Sequence, residues 1–213
     1  MWRLRTRSAA VDPLYLEMLL AFEDRRFYSH AGVDPLAVVR ALGQWISNGR
    51  VVSGASTLTM QTVRLLGSGR RGLVGKLREM LRALQLEWHF SKDEILEMYL
   101  TLAPFGGNLE GVQAASLAYL GKEPVRLTPG EAALLVVLPQ SPSRLRPDRF
   151  PAKADSARSK VLARMEKIGV LSRRRAREAR EEAVPAVRRD TPFRAPHLAL
   201  YLKSTRADRT VHR

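Results

Sequence analysis

The sequence predicts an all-α protein, and three observations carry that expectation. Asp-Pro pairs, the N-cap and first-turn signature of a helix, stand ahead of apolar residues at helical spacing. Ser91/Glu94 and Thr128/Glu131 have the spacing of capping boxes. No stretch alternates apolar and polar residues over a useful strand length, and no segment repeats. The 213 residues, 45% of them hydrophobic, suffice for one sizeable core with a small appendage.

Asp12-Pro13 opens the first helix, and Leu16, Leu19, Leu20 and Phe22 carry it to about Glu23. Asp34-Pro35 repeats the signal. Leu36, Val39, Leu42 and Ile46 follow, and Asn48-Gly49 supplies the stop. Val51-Val52 is the one place read as a brief strand. Ser56-Thr57 starts a third helix to about Leu66, followed by the basic segment GSGRRG at 67–72. A long helix spans about 74–90, with Leu77, Met80, Leu81, Leu84 and Trp88 as its main apolar stripe. Ser91 caps the next, to about Leu102. Residues 104–108 read as a loop and 109–120 as a short helix ending at Gly121. Thr128 caps an apolar helix, AALLVVL, stopped by Pro139, and a proline-rich turn region follows. Residues 152–168 are helical with Gly169 as the stop, and Ser172 starts a highly charged helix. Beyond Pro185 the signals fade into loop or linker.

Thirty-six Lys and Arg stand against 21 Asp and Glu, a net charge of +15, which attracts polyanions: nucleic acid, anionic lipid or phosphorylated substrate. With no cysteine, disulfides and zinc–cysteine sites are excluded. No run of about 18 apolar residues is present to span a bilayer. The first residues, MWRLRTRSAAVDP, lack an apolar signal-peptide core, so the chain reads as cytosolic or as a piece of a longer protein.

Three stretches have the residue types for chemistry. In AFEDRRFYSHAGVDP, Glu23 falls at a helix C-terminus, where the dipole disfavours a negative charge, a setting that suits a general acid or base. The alternative is a frayed helix end with Glu23 paired to Arg25 or Arg26. In SGASTLTMQTVRLL, Ser56 and Thr57 offer hydroxyls and amides at a helix start, a phosphate cradle. Thr57, Gln61 and Arg64 share one face and suit a pyrophosphate; the alternative is an ordinary capped helix. In GKLREM, Glu79 lies opposite the apolar stripe, on the face of Ala83 and Leu86 and flanked by Lys76 and Arg78. It is a second candidate acid, or half of a Glu79–Arg82 surface pair. Two carboxylates, a phosphate cradle and cations together point to sugar chemistry with a phosphorylated leaving group.

Four motifs resemble those of family 51 peptidoglycan glycosyltransferases, in that family's order and spacing. EDRRFYSHAG is similar to EDxxFxxHxG, SGASTLTMQ to GGSTxTQQ, GKLRE to RKxxE, and SKDEILEMYLTLAPFGG to KxxILExYLN and the loop after it. The resemblance covers about 13–170. It implies a mainly helical, lysozyme-like fold of two lobes around a cleft, and polymerisation of lipid II at the outer, periplasmic face of the cytoplasmic membrane. An acceptor 4-hydroxyl attacks the donor anomeric carbon with inversion, and undecaprenyl pyrophosphate leaves. By motif match, Glu23 is the general base, and Glu79 assists departure of the pyrophosphate, directly or through a divalent ion, Mg2+ or Mn2+. No organic cofactor is implied. Thr57, Gln61, Arg64, Lys76 and Arg78 hold donor phosphates; Asp24, Phe27, His30 and Ser56 shape the cleft; Glu97 ties helices together. An apolar jaw that meets anionic membrane matches Leu36, Val39, Leu42, Trp45 and Ile46, in a helix nearly free of acids.

The sequence departs from the motifs at Ala55, Met60, Gly75 and Thr101. Gly75 stands where arginine is usual, so one phosphate contact is lost or passes to Arg70, Arg71 or Arg78. The resemblance makes 10–185 the glycosyltransferase domain and 186–213 a linker toward a transpeptidase domain. The rival readings are a lysozyme-like hydrolase, a nucleic-acid binder suggested by charge alone, and an inactive domain that binds lipid or protein.

Overall fold

A computed structural model of the chain describes residues 1–48, 56–67 and 72–189. Its helices are α1 (Pro13–Glu23), α2 (Pro35–Asn48), α3 (Leu58–Leu66), α4 (Leu73–His89), α5 (Lys92–Leu102), α6 (Val112–Ala115), α7 (Pro129–Val137), α8 (Pro151–Lys167) and α9 (Arg173–Glu181). The caps expected from sequence form. Asp12 accepts from Leu14 N, and the capping boxes at Ser91/Glu94 and Thr128/Glu131 both close.

α7 is the axis of the molecule. Every residue from Ala132 to Val137 is buried, as expected of a helix apolar all round, and α1, α8 and α9 pack against it. α1 and α7 run parallel. At their starts Asp12 N donates to Pro124 O and Leu127 N to Asp12 Oδ2; at their ends Gln140 reaches Glu23. A second, smaller core of Met60, Val63 and Ala83, flanked by Val33, Met80 and Leu86, joins α3 to α4. The large and small cores are the two lobes of the expected fold.

One expectation is corrected. Residues 104–110, read as loop and helix start, form a β-hairpin. β2 (Pro104–Gly106) pairs antiparallel with β3 (Leu109–Glu110), and β1 (Trp2–Arg3) adds in parallel to β3. Strands this short carry no periodic signal, and their pairing partners lie far apart in sequence. The helix expected over 109–120 therefore begins only at Val112 and continues as a π-helical turn, Ser116–Leu120, ending at left-handed Gly121. Val51-Val52 lies outside the described residues.

α4 forms where the sequence places it. Its stripe is exposed: Leu77, Leu81, Leu84 and Trp88 face outward and Met80 is half-buried, while Glu79 and Ala83 are buried. Periodicity marks an apolar face without saying what covers it. Here α4 turns its small and acidic face to α3, because Glu79 meets Arg64 there. The chain also crosses close over Ala83 at Gly32, which has φ +80°. A Cβ on Gly32 would lie 2.6 Å from Ala83 O, so only glycine fits.

Residues 6–8 and 188–189 also bond to the helical body. Ser8 N donates to Glu97 Oε1 and Thr6 N to Thr101 Oγ1, while Arg188 and Arg189 bond Asn108 and Ala118 O. Arg158, almost fully buried, donates to Glu182 O and Asp155, tying α8 to the end of α9.

Candidate active site

The C-terminal end of α1 opens on a cleft of about 760 Å3, lined among others by Phe22, Glu23, Arg25, Arg40, Ser56, Gln61, Gln140 and Arg164. Glu23 is the last residue of α1 and half-buried. It pairs with neither Arg25 nor Arg26. Its Oε2 accepts from Gln61 Nε2 at 2.8 Å and its Oε1 from Gln140 Nε2 at 2.9 Å. Arg26 instead bonds Asp34, which caps α2 through Ala37 N.

Asp24 is buried and holds the first motif to α3. Its carboxylate meets His30 Nε2 at 3.0 Å and accepts from Leu58 N at 2.9 Å. At the helix start read as a phosphate cradle, the Leu58 amide is thus bonded to the Asp24 carboxylate, while Ser56 lines the cleft. Thr57 is equally committed: it is buried, donates to Gly32 O at 2.6 Å and accepts from Met60 N. Phe27 is buried beneath Lys92, whose ammonium lies 4.5 Å from the ring centroid and also bonds Glu87. This links the first and fourth motifs.

The expected row Thr57, Gln61, Arg64 therefore does not face the cleft as one open surface. Gln61 holds Glu23, and one turn later Arg64 holds Glu79 through two bonds, Nε–Oε1 at 2.9 Å and Nη2–Oε2 at 2.8 Å. Three residues of helix rise about 4.5 Å, so α3 spaces the two acids by roughly one turn. Lys76 Nζ completes the cluster, 3.6 Å from Glu79 Oε2 and bonded to Ser56 Oγ at the cleft wall. Arg78 is exposed on α4 and, among the described residues, joins none of these pairs. Gly75 is buried; Ala55, Arg70 and Arg71 lie outside the described residues.

Arg64 holds the Glu79 carboxyl below the ordinary glutamate range, Lys76 adding to the effect, while burial lowers Lys76. A carboxyl lowered in the folded state adds stability above its unfolded value, and loses it as pH falls through the folded one. Arg64→Met is therefore expected to lower the urea midpoint at pH 7. The gap to wild type should narrow as pH drops below about 4.5, the ordinary glutamate value. A gap that stays constant down to pH 3 would refute the pairing.

Sequence reading missed Gln140 and Arg164. Arg164 sits 4.8 Å over the Phe22 ring and donates to Ala21 O. Gln140 lay in a stretch read only as a turn, and Arg164 in one read as an ordinary helix; neither carries a local signal.

A family model described as Transglycosylase matches residues 2–166. Penicillin-binding protein 1C of Escherichia coli (strain K12) is 54% identical over 195 residues, covering 92% of this chain and 25% of that protein. Penicillin-binding protein 1A of Pseudomonas aeruginosa is 35% identical over 202 residues, covering 93% of this chain and 25% of that protein. The crystal structure of penicillin-binding protein 1A from Haemophilus influenzae shares the fold, with a TM-score of 0.53 at 22% identity over 97% of this chain and 21% of that one. The chain spans about a quarter of the length of these relatives. On the family match and the relatives' identity over nearly its whole length, the chain belongs to the transglycosylase family.

Proposed function

We propose that this chain is a peptidoglycan glycosyltransferase of cell-wall synthesis that polymerises lipid II at the outer face of the cytoplasmic membrane. The observation that carries this reading is Glu23, held by two amides on a cleft of about 760 Å3, one turn of α3 from the Arg64–Glu79–Lys76 cluster. Glu23 takes the proton of the acceptor 4-hydroxyl. The freed oxygen attacks the donor anomeric carbon from the face opposite the leaving group, the bond from carbon to phosphate oxygen breaks, and its electron pair leaves with undecaprenyl pyrophosphate. One displacement inverts the configuration. Lys76 and Arg64 neutralise the departing phosphates, and Arg64 exchanges Glu79 for phosphate as it does so.

The residues around Glu79 do not by themselves suit a divalent ion. Both carboxylate oxygens accept from Arg64, an ammonium stands at 3.6 Å, and no three acids or histidines group together among the described residues. No step is routed through Mg2+ or Mn2+.

Membrane contact fits the exposed apolar surface. Leu36 and Val39 of α2 are about two-thirds exposed, and Val74, Leu77, Leu81, Leu84 and Trp88 of α4 add a second stripe beside Arg78 and Arg82. The side chains of Leu42, Trp45 and Ile46 lie outside the described residues. Among the described residues no helix is long and apolar enough to cross a membrane.

Product analysis of lipid II incubated with the chain in detergent tests the reading. Polymer together with released undecaprenyl pyrophosphate is expected. Shortening of preformed glycan without use of lipid II would identify the hydrolase instead.

A further inference from the structure

We infer that Gln140 is a positioning residue for Glu23: its side-chain amide fixes the carboxylate so that the base faces the acceptor hydroxyl. The inference rests on the reading of Glu23 as the general base.

The geometry begins with two packed helices. α1 and α7 start together at Asp12 and Leu127 and end together, α1 at Glu23 and α7 in the short 3-10 turn Leu138–Gln140. Their C-terminal ends therefore converge where the carboxylate sits, and both present the negative pole of their dipoles. Such a place disfavours a carboxylate unless donors offset it. Two donors do so, one on each oxygen: Gln61 on Oε2 and Gln140 on Oε1. A carboxylate only accepts, so each glutamine must turn its nitrogen toward Glu23.

The two donors come from opposite walls. Gln61 belongs to α3, on the side of the phosphate cluster; Gln140 ends the turn that follows α7, the axis of the large core. Its backbone is fixed by neighbours on both sides. Leu138 is fully buried, Ser141 N donates to Leu138 O, and Leu145 N closes the following turn onto Ser141 O. The Gln140 side chain itself is exposed. A hydrogen bond there adds little to stability, so its use lies in orientation. With only Gln61 in place, the carboxylate could rotate about its last bond and swing its free lone pairs off the acceptor. A displacement of this kind costs rate without touching substrate affinity.

The experiment is a steady-state lipid II assay on four variants, with melting temperature measured on each. Gln140→Met keeps length and loses the donor; kcat should fall roughly tenfold with KM unchanged. Gln140→Glu sets a second carboxylate against the first and should fall further. Gln140→Lys keeps an N–H donor of similar reach and should recover most of kcat, again at unchanged KM. All three should melt with wild type. Glu23→Gln serves as the reference. If it is inactive while Gln140→Met turns over like wild type, the positioning role is overturned and the base assignment stands. If Glu23→Gln retains full activity, the base assignment itself fails. A Gln140→Met effect confined to KM would make Gln140 a substrate contact and also overturn the inference.

Discussion

Glu23→Gln should abolish polymerisation while leaving the protein folded. Removing a general base costs about 10²–10⁴ in rate, and here the substitution keeps the size of the side chain. The expected result is a fall in kcat of about 10³-fold at little change in KM. Stability should move the other way or not at all. Glu23 sits at the negative ends of α1 and α7, so neutralising it relieves roughly 0.3–1 kcal/mol of unfavourable dipole interaction. Against that, a glutamine at this site can accept from only one of Gln61 and Gln140, and its own NH2 group faces the other donor. The two effects are similar in size, so the melting temperature should hold. A residue that costs the fold nothing to remove but costs the reaction everything is one kept for chemistry. Turnover within tenfold of wild type would remove Glu23 from the mechanism.

Asp24→Ala should do the opposite, costing stability first. The Asp24 carboxylate is buried and serves two groups: the ring nitrogen of His30 and the first amide of α3. Truncation takes the acceptor from the Leu58 N–H and the imidazole Nε2, both largely buried. Orphaned buried donors of this kind cost about 3 kcal/mol together. For a chain of this size that corresponds to a fall in melting temperature of about 6–12 °C. Asp24→Asn retains one acceptor oxygen and should lose about half as much. Differential scanning calorimetry of the three proteins decides the matter. An alanine variant melting within about 2 °C of wild type would mean that Asp24 does not bolt the first motif to α3. The neighbouring acids Glu23 and Asp24 thus differ in kind, and the two experiments separate them.

The same contrast runs through the rest of the site. Lys76 and Arg64 look alike in sequence, both cations read as holding donor phosphates. In the fold, Arg64 holds both oxygens of Glu79 while Lys76 stands back at 3.6 Å and reaches Ser56 at the cleft wall. Thr57 and Ser56 are adjacent hydroxyls at one helix start. Thr57 is buried and donates to Gly32 O, whereas Ser56 is half-buried and accepts from Lys76 Nζ.

The sequence by itself determined the helices, their caps and the residue types of the site. Those features are set by contacts within a few residues: Asp12 capping Leu14, Ser91 and Glu94 closing on each other, Gly121 ending its turn in the left-handed region. It also named Glu23 and Glu79, since motif spacing records which side chains one helix or loop can present. Only the tertiary structure decided which partners those side chains meet. The apolar stripe of α4 points outward because Glu79 claims the inner face, a choice that depends on Arg64 fifteen residues away. The first amide of α3 donates to Asp24, 34 residues before Leu58 in the chain, a partner that no local pattern indicates. The hairpin at 104–110 forms with Trp2 and Arg3 from the other end of the chain. Gln140 reaches Glu23 across 117 residues because two helices of matched length start at the same point and run parallel. A residue's local pattern holds no trace of such a meeting; the folded distance alone creates it.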